Sequence, residues 1–515
     1  MLKKIRLILA VICFLLITLL FLDFTGTLHQ WFGWLAKIQF LPALLALNTG
    51  VIIGLIVLTL FFGRIYCSVI CPLGIFQDIT LRLSRRFNKK KRFSFSRALP
   101  WLRYGVLILA IAAFALGMGS LVALLDPYGA YGRVANNLFS PVYQGINNIL
   151  AYFAGRADSY SFYSTDIWIK STATFLIAVT TFVVIGILAW RNGRTYCNTI
   201  CPVGTVLGFI SRFSIFRLRF DAEKCTKCGL CERNCKASCI DSKNMSVDSS
   251  RCITCFNCIE KCKAGAIKYT PLKISTGKEN KNKVESIVEN EETNSVSRQN
   301  FLTITGLFLL ANTVKAQQLH VDGGLAEIQD KKIPDRKVPI VPPGAEGEKN
   351  FNSRCTGCQL CVTICPNNIL RPSNKLSTMM QPEMSFERGY CRPECVECSK
   401  VCPSKAIKQI TTADKTAISI GQAVWIKDNC VVNRDEVPCT ACERHCPTKA
   451  ITLIPVHPEE ENTPQQGPPG QQPPVLKTPV INKELCIGCG ACEYYCPARP
   501  FSAIYIEGNV RHHSV

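Results

Sequence analysis

Apolar residues run from Leu7 to Leu22 with only Thr18 interrupting, and three further apolar stretches follow at Leu41–Phe62, Tyr104–Leu125 and Ser171–Trp190. A helix needs roughly 20 residues to cross the hydrocarbon core of a bilayer, so the pattern predicts four membrane-spanning helices. The first run follows Lys3, Lys4 and Arg6 in the manner of a signal peptide. It continues to Asp23 without a small-residue cleavage site and is read as a retained anchor. The polar segments between the runs set the orientation. Residues 64–103 carry ten Lys/Arg against one acid, Asp78, and Arg191, Arg194, Arg212, Arg217 and Arg219 follow the fourth run. Residues 24–40 hold only Lys37, and residues 126–166 hold Arg133 and Arg156 against three acids. The excess of cations on alternate loops places the N-terminus, the second loop and the segment after Trp190 in the cytoplasm.

Composition agrees with a membrane half and adds a second, different half. The 515 residues are 48% hydrophobic and 19% charged, which excludes a disordered or collagen-like chain. The net charge of +22 is concentrated before residue 317, with +21 in residues 1–316 and +1 in residues 317–515. Basic cytoplasmic loops account for that asymmetry, so no nucleic acid is required as a partner.

The membrane half is duplicated. Gly63–Gly74 reads GRIYCSVICPLG and Gly193–Gly204 reads GRTYCNTICPVG, each after an even-numbered span. A Gly-Arg pair ends a helix well, because glycine tolerates a left-handed cap and the cation faces the negative helix end. That does not explain the cysteines. Cys67 and Cys71, like Cys197 and Cys201, are four apart, which on a helical turn puts both sulfurs on one face. They are candidates for a redox dithiol, for metal ligation or for a structural contact between halves, and with Asp126 they are the weak catalytic candidates. Cys13, alone within an apolar run, is read as packing.

Thirty cysteines demand a specific chemistry. Cys225, Cys228, Cys231 and Cys235 have the spacing C-x2-C-x2-C-x3-C, and Cys252, Cys255, Cys258 and Cys262 repeat it. In the bacterial ferredoxin run of this kind, three thiolates wrap one 4Fe-4S cluster and the fourth reaches the other. Zinc sites use four ligands as separated pairs, and disulfides are disfavoured in the cytoplasm. Four more runs follow. Cys355, Cys358, Cys361, Cys365 and Cys486, Cys489, Cys492, Cys496 are regular; Cys391, Cys395, Cys398, Cys402 and Cys430, Cys439, Cys442, Cys446 have a widened first gap. The 24 cysteines are therefore read as ligands of six 4Fe-4S clusters, with nested pairing expected in the last four runs, first with fourth and second with third. Cys239 is left over and is read as packing.

The expected fold is an α-helical membrane domain of four transmembrane helices over residues 1–220, plus small α+β ferredoxin-like domains built around clusters. These domains are a two-cluster unit at 221–269 and a four-cluster unit at 317–515. A polar linker spans 270–296, and residues 297–316 resemble a twin-arginine export signal or anchor, which adds a fifth helix if retained. Gln299 stands where the second arginine of such a signal would be. A Pro/Gln-rich insertion covers residues 455–479. No histidine lies in the four spans, no C-x-x-C-H and no G-x-G-x-x-G occur, so neither haem nor a nucleotide is expected.

Two GRxYCxxxCPxG repeats followed by a two-cluster tail resemble NapH, the membrane ferredoxin of periplasmic nitrate reduction, and its relatives of the NosR and methylamine-utilisation MauN type. The remainder, with Val341-Pro342-Pro343-Gly344-Ala345 and four cluster runs, resembles NapG and MauM. The chain thus resembles a NapH–NapG fusion. The resemblance implies quinol dehydrogenase activity: menaquinol or ubiquinol of the membrane pool as electron donor, and a periplasmic reductase or cytochrome c as acceptor. It also implies an inner-membrane location with the last four clusters in the periplasm. Asp126 and Asp23, at the outer boundary, are candidates for accepting quinol protons. Two other readings are a membrane ferredoxin for metal reduction in oxidase assembly, resembling the copper-reducing accessory ferredoxin of cytochrome oxidase, and a redox-sensing regulatory partner.

Overall fold

The computed structural model of the protein describes residues 2–87, 93–159, 162–271, 329–456 and 476–515. The basic cluster at Lys89–Arg92, the export-like segment 297–316, nearly all of the 270–296 linker and most of the 455–479 insertion lie outside the described residues.

Among the described residues two helices, Leu2–Leu22 and Thr172–Asn192, are long and apolar enough to cross a membrane by length and composition. The two middle runs are not continuous helices, so the expected four uninterrupted spans are not all found. Residues 41–62 divide into Phe40–Leu45 and Thr49–Phe62, separated at Leu47 with φ +52° and at Asn48, whose side chain caps the second helix by accepting from the Val51 N–H. Residues 104–125 divide into Pro100–Ala115 and Gly119–Leu125 around Gly117, with φ +72°. A left-handed residue cannot continue an α-helix, so each apolar run turns where one such residue falls. The segment expected as a polar outer loop also folds, into the helices Pro127–Val134 and Ser140–Arg156.

Beyond Phe213 the chain builds small α+β units. Strand Phe216–Phe220 pairs antiparallel with Ile267–Pro271, enclosing the helices Leu230–Arg233 and Asn257–Lys261 and the short pair Ile240–Asp241 with Ser246–Val247. In the C-terminal part Leu370–Pro372 pairs with Pro382–Met384, Ile418–Trp425 with Ile504–Ser514, and Ile451–Pro455 with Lys477–Ile481, all antiparallel. Two-stranded sheets this short are weak on their own, and the buried residues between them include the cysteines.

The two ferredoxin-like parts touch opposite ends of the same apolar runs. Helix Leu2–Leu22 ion-pairs through Lys3 with Glu260, while Gly26, just past its other end, lies against Ile364. Arg103, near the start of Pro100–Ala115, donates to the Ser250 carbonyl at 3.0 Å, whereas Gly119 abuts Asn352. On that second side Gly129 and Gly132 lie against the carbonyls of Thr356 and Cys358, with no room for a Cβ. Asn136 and Asn137 donate to the Gln359 side chain at 3.2 and 3.1 Å, and Ser171 donates to Asn374 at 2.6 Å.

Candidate metal centres

Each regular cysteine run owes its shape to left-handed backbone on both sides of its second cysteine. The flanking residues are Lys227 and Gly229, Thr254 and Phe256, Gly357 and Gln359, and Gly488 and Gly490, all with φ between 48° and 76°. Such a conformation turns successive N–H groups toward one concavity, which favours an anionic guest. A short helix then starts and carries the third cysteine. The widened runs lack this feature: Val396 and Thr440, after Cys395 and Cys439, have φ −124° and −122°.

The fold gathers the cysteines in fours. One cavity is lined by Cys225, Cys228, Cys231 and Cys262, and another by Cys235, Cys252, Cys255 and Cys258. These are the crossed sets expected of a two-cluster ferredoxin. In the C-terminal part a cavity is lined by Cys365 together with Cys391, Cys395 and Cys398. Cys402 in turn stands within charge range of Cys355, Cys358 and Cys361. The third and fourth runs share likewise: Cys496 and Cys430 lie near Cys442, and Cys446 near Cys486, Cys489 and Cys492. The pairing is therefore first with second and third with fourth, and the nested expectation is wrong. Neighbouring runs fold onto each other directly, as the packing of helix Leu360–Ile364 on Glu397–Val401 and of Ala441–Arg444 on Ala491–Tyr495 shows.

The donor set suits iron–sulfur clusters. Among the described residues no three His, Cys, Asp or Glu side chains form a site for a single metal ion. Backbone N–H groups point at the sulfurs: Ala266 to Cys262 at 3.2 Å, Ala450 to Cys446 at 3.2 Å, Ala503 to Cys496 at 3.3 Å and Ile407 to Cys402 at 3.4 Å. Burial pushes the Cys358 and Cys489 thiols up to about 12, so without a metal these thiols stay protonated at neutral pH. Lys415 was invisible as a site residue in the sequence. It is 4% exposed and donates to Cys391 Sγ at 3.1 Å, to the Arg392 carbonyl at 2.7 Å and to the Cys395 carbonyl at 2.9 Å. Cys239, expected as packing, is buried with its sulfur 3.6 Å from Cys235 Sγ and lines the same cavity as Cys252.

The two GRxYCxxxCPxG repeats meet face to face. Arg64 donates to the Cys197 carbonyl at 3.0 Å and Arg194 to the Cys67 carbonyl at 2.8 Å, so each repeat's arginine holds the other's cysteine turn. Gly74 lies on the Cys67 carbonyl beside Arg194, and Gly204 on the Cys197 carbonyl beside Arg64; a Cβ fits at neither. Both arginines are fully buried, as are all four cysteines. Asp78, read as a loop acid, is buried too and accepts from Arg6 at 2.6 Å, Arg194 at 2.9 Å and Lys236 at 2.9 Å.

The two outer-boundary acids differ. Asp23 is saturated by its own loop, accepting from Thr25 N–H and Oγ1, Gly26 N–H, Leu28 N–H and His29, which is a structural role. Asp126 is buried and caps helix Pro127–Val134 by accepting from Tyr128 and Gly129 N–H at 3.3 and 2.8 Å. Its charge is felt by Arg133 and Cys358. Arg133, fully buried, is felt in turn by Cys355.

Comparison with known proteins matches the two repeats and the C-terminal runs. A 4Fe-4S binding domain model matches residues 45–91 and 172–221, and two 4Fe-4S dicluster domain models match residues 354–425 and 437–499. The 354–425 match encloses the first two runs, and the 437–499 match covers the fourth run and all of the third except Cys430. The methylamine utilization ferredoxin-type protein MauM of Methylobacillus flagellatus is 30% identical over 178 residues, covering 34% of this chain and 70% of that protein. The ferredoxin-type protein NapG of Escherichia coli is 31% identical over 186 residues, covering 34% of this chain and 75% of NapG. The ferredoxin-type protein NapF of Escherichia coli is 28% identical over 171 residues, covering 33% and 87%. No solved structure matches the chain.

Proposed function

We propose, because the chain belongs through its C-terminal region to the family of ferredoxin-type proteins that includes MauM and NapG, that it is a membrane-bound quinol-to-periplasm electron relay. In this reading the 24 cysteines hold six 4Fe-4S clusters, menaquinol or ubiquinol is the donor, and a reductase or cytochrome c outside the inner membrane is the acceptor. The N-terminal half acts as a NapH-like partner joined to a NapG-like tail.

The observation that carries the proposal is the attachment of the two ferredoxin-like parts to opposite ends of helix Leu2–Leu22 and of the apolar run made of Pro100–Ala115 and Gly119–Leu125. The helices expose large apolar side chains between those ends, such as Ile8, Val11, Ile12 and Leu15 on one and Ile108, Ile111 and Phe114 on the other. A soluble protein rarely exposes so broad an apolar surface, and a bilayer covers it without cost. Both interrupted apolar runs then cross together with the two continuous helices, which favours the multi-pass reading.

When bound, the clusters supply one-electron storage at each four-cysteine site. The chain's own residues set how easily each site takes an electron. Lys415 places a cation on Cys391, and Arg133 places one beside Cys355 and Cys358, which favours the more negative reduced state. Asp126, buried beside the cluster that Cys358 serves, is the retained candidate for taking a quinol proton, whereas Asp23 is excluded by its saturated oxygens.

The test joins topology to chemistry. A reporter fused after Val515 is expected to be active only in the periplasm, and menaquinol added to the protein in liposomes is expected to bleach the cluster absorbance. A cytoplasmic Val515, or clusters that stay oxidised with menaquinol, overturns the proposal; reoxidation specific to copper(II) supports the metal-reduction reading instead.

A further inference from the structure

We propose that Cys67, Cys71, Cys197 and Cys201 together hold a seventh 4Fe-4S cluster, placed between the two groups of ferredoxin clusters. This deepens the relay reading and rests on it. Each repeat supplies two cysteines, too few for a cubane, but the duplicated halves bring all four together. Cys71 lies within charge range of both Cys67 and Cys197, and Cys201 within range of the other three.

The surroundings distinguish this site from a pair of structural dithiols. The sulfurs stand among N–H donors: Gln77 Nε2 is 3.3 Å from Cys197 Sγ and the Gly204 N–H is 3.3 Å from Cys201 Sγ. The Gly74 N–H serves Cys71 equivalently. Arg64 and Arg194 approach Cys67 and Cys197 at 3.8 and 3.9 Å. Neutral thiols or disulfides need no such array; Arg194 already faces Asp78, but Arg64, fully buried, has no carboxylate partner among the described residues and is a cost without an anion to face. Thiolates carrying the net negative charge of a cluster supply that anion. The matched 4Fe-4S binding domain model covers each repeat separately, and the two matches meet at this point.

The position fits a relay. On one side, Arg194 donates its backbone N–H at 3.0 Å to the carbonyl of Lys236, the residue after Cys235. On the other, Asp126 is within charge range of Tyr66 and Tyr196, which flank the four cysteines, and of Cys358. Electron transfer across the site is a one-electron exchange. A cluster held by these four cysteines would supply one further centre able to take one electron from the ferredoxin cluster on one side and give it up to the one on the other. No bond is made or broken and no proton is required.

The test uses the full chain purified without oxygen in detergent. Iron and acid-labile sulfide are expected at about 28 each per chain rather than about 24. The double substitution Cys71→Ser/Cys201→Ser is expected to lower both by about four while the remaining clusters keep their low-temperature EPR signals. Wild-type protein with about 24 irons overturns the proposal and leaves the six-cluster reading standing. So does recovery of the four cysteines as two disulfides, or one equivalent of zinc lost with the double substitution. Iron well below 24 per chain overturns both. The wild-type count decides the matter even if the variant fails to fold.

Discussion

Replacing Lys415 by methionine removes a buried cation from one cluster and leaves its surroundings nearly filled. The ammonium uses its three N–H donors on Cys391 Sγ, the Arg392 carbonyl and the Cys395 carbonyl. Its nitrogen is 3.1 Å from the sulfur, and the centre of a cubane lies about 3 Å farther, so the charge acts on the added electron across about 6 Å. At an effective dielectric constant of about 20 the attraction is about 2.8 kcal/mol. With about 59 mV per 1.4 kcal/mol for a one-electron couple, the reduction potential of the cluster at Cys365, Cys391, Cys395 and Cys398 is expected to fall by about 120 mV in Lys415→Met. An EPR-monitored redox titration reads this directly, and Lys415→Arg is expected to retain most of the wild-type value. A Lys415→Met shift below about 20 mV, or a rise, refutes the reasoning, because then either the cation is screened or Cys391 does not face a cluster.

Three further outcomes are expected. Gly204→Ala forces a Cβ onto the Cys197 carbonyl and Arg64 and is expected to destabilise the membrane half by about 1–3 kcal/mol, whereas Gly186→Ala, with open space around it, is close to neutral; thermal melts in detergent compare them. Asp126→Asn is expected to slow menaquinol-dependent cluster reduction at least about tenfold with dithionite reduction unchanged; equal quinol rates remove Asp126 from the mechanism. Burial holds His512, in strand Ile504–Ser514, neutral and lowers it to about 4, with the charge of His513 adding and Glu346 opposing. Since its unfolded value is near 6.5, the folded state binds fewer protons between those values. The C-terminal strand pair then loses stability as pH falls from about 6.5 toward 4. His512→Phe is expected to flatten that acid limb in pH-dependent melts.

The shape of the regular cysteine loops was legible because it is local: in each, the first two cysteines, three apart, take left-handed residues between and after them, and Gly357 and Gly488 or Gly229 and Gly490 mark those places. The pairing of runs was not local. Widened gaps say nothing about which neighbour a run folds onto, and a symmetry of spacing misled where chain proximity decided. Lys415 lies 24 residues from the Cys391 sulfur it touches, beyond any spacing rule. The two interrupted helices were hidden because hydropathy averages over a window, and one left-handed residue at Leu47 or Gly117 changes no average. Asp78 looked like a solvated loop acid because its three cations come from Arg6, Arg194 and Lys236, scattered along the chain. The arginine and the final glycine of each repeat were visible as a motif, but their purpose exists only between repeats.

Gly119, Gly129 and Gly132 let the 352–358 loop rest directly on bare helix backbone. A carrier protein that diffuses to its donor delivers electrons at a rate set by how often the two collide. In the proposed relay the loop bearing Cys355 and Cys358 is already seated on these helices, so passage of an electron between the two halves would be a first-order event within one molecule. Diluting the protein would then leave that step unchanged.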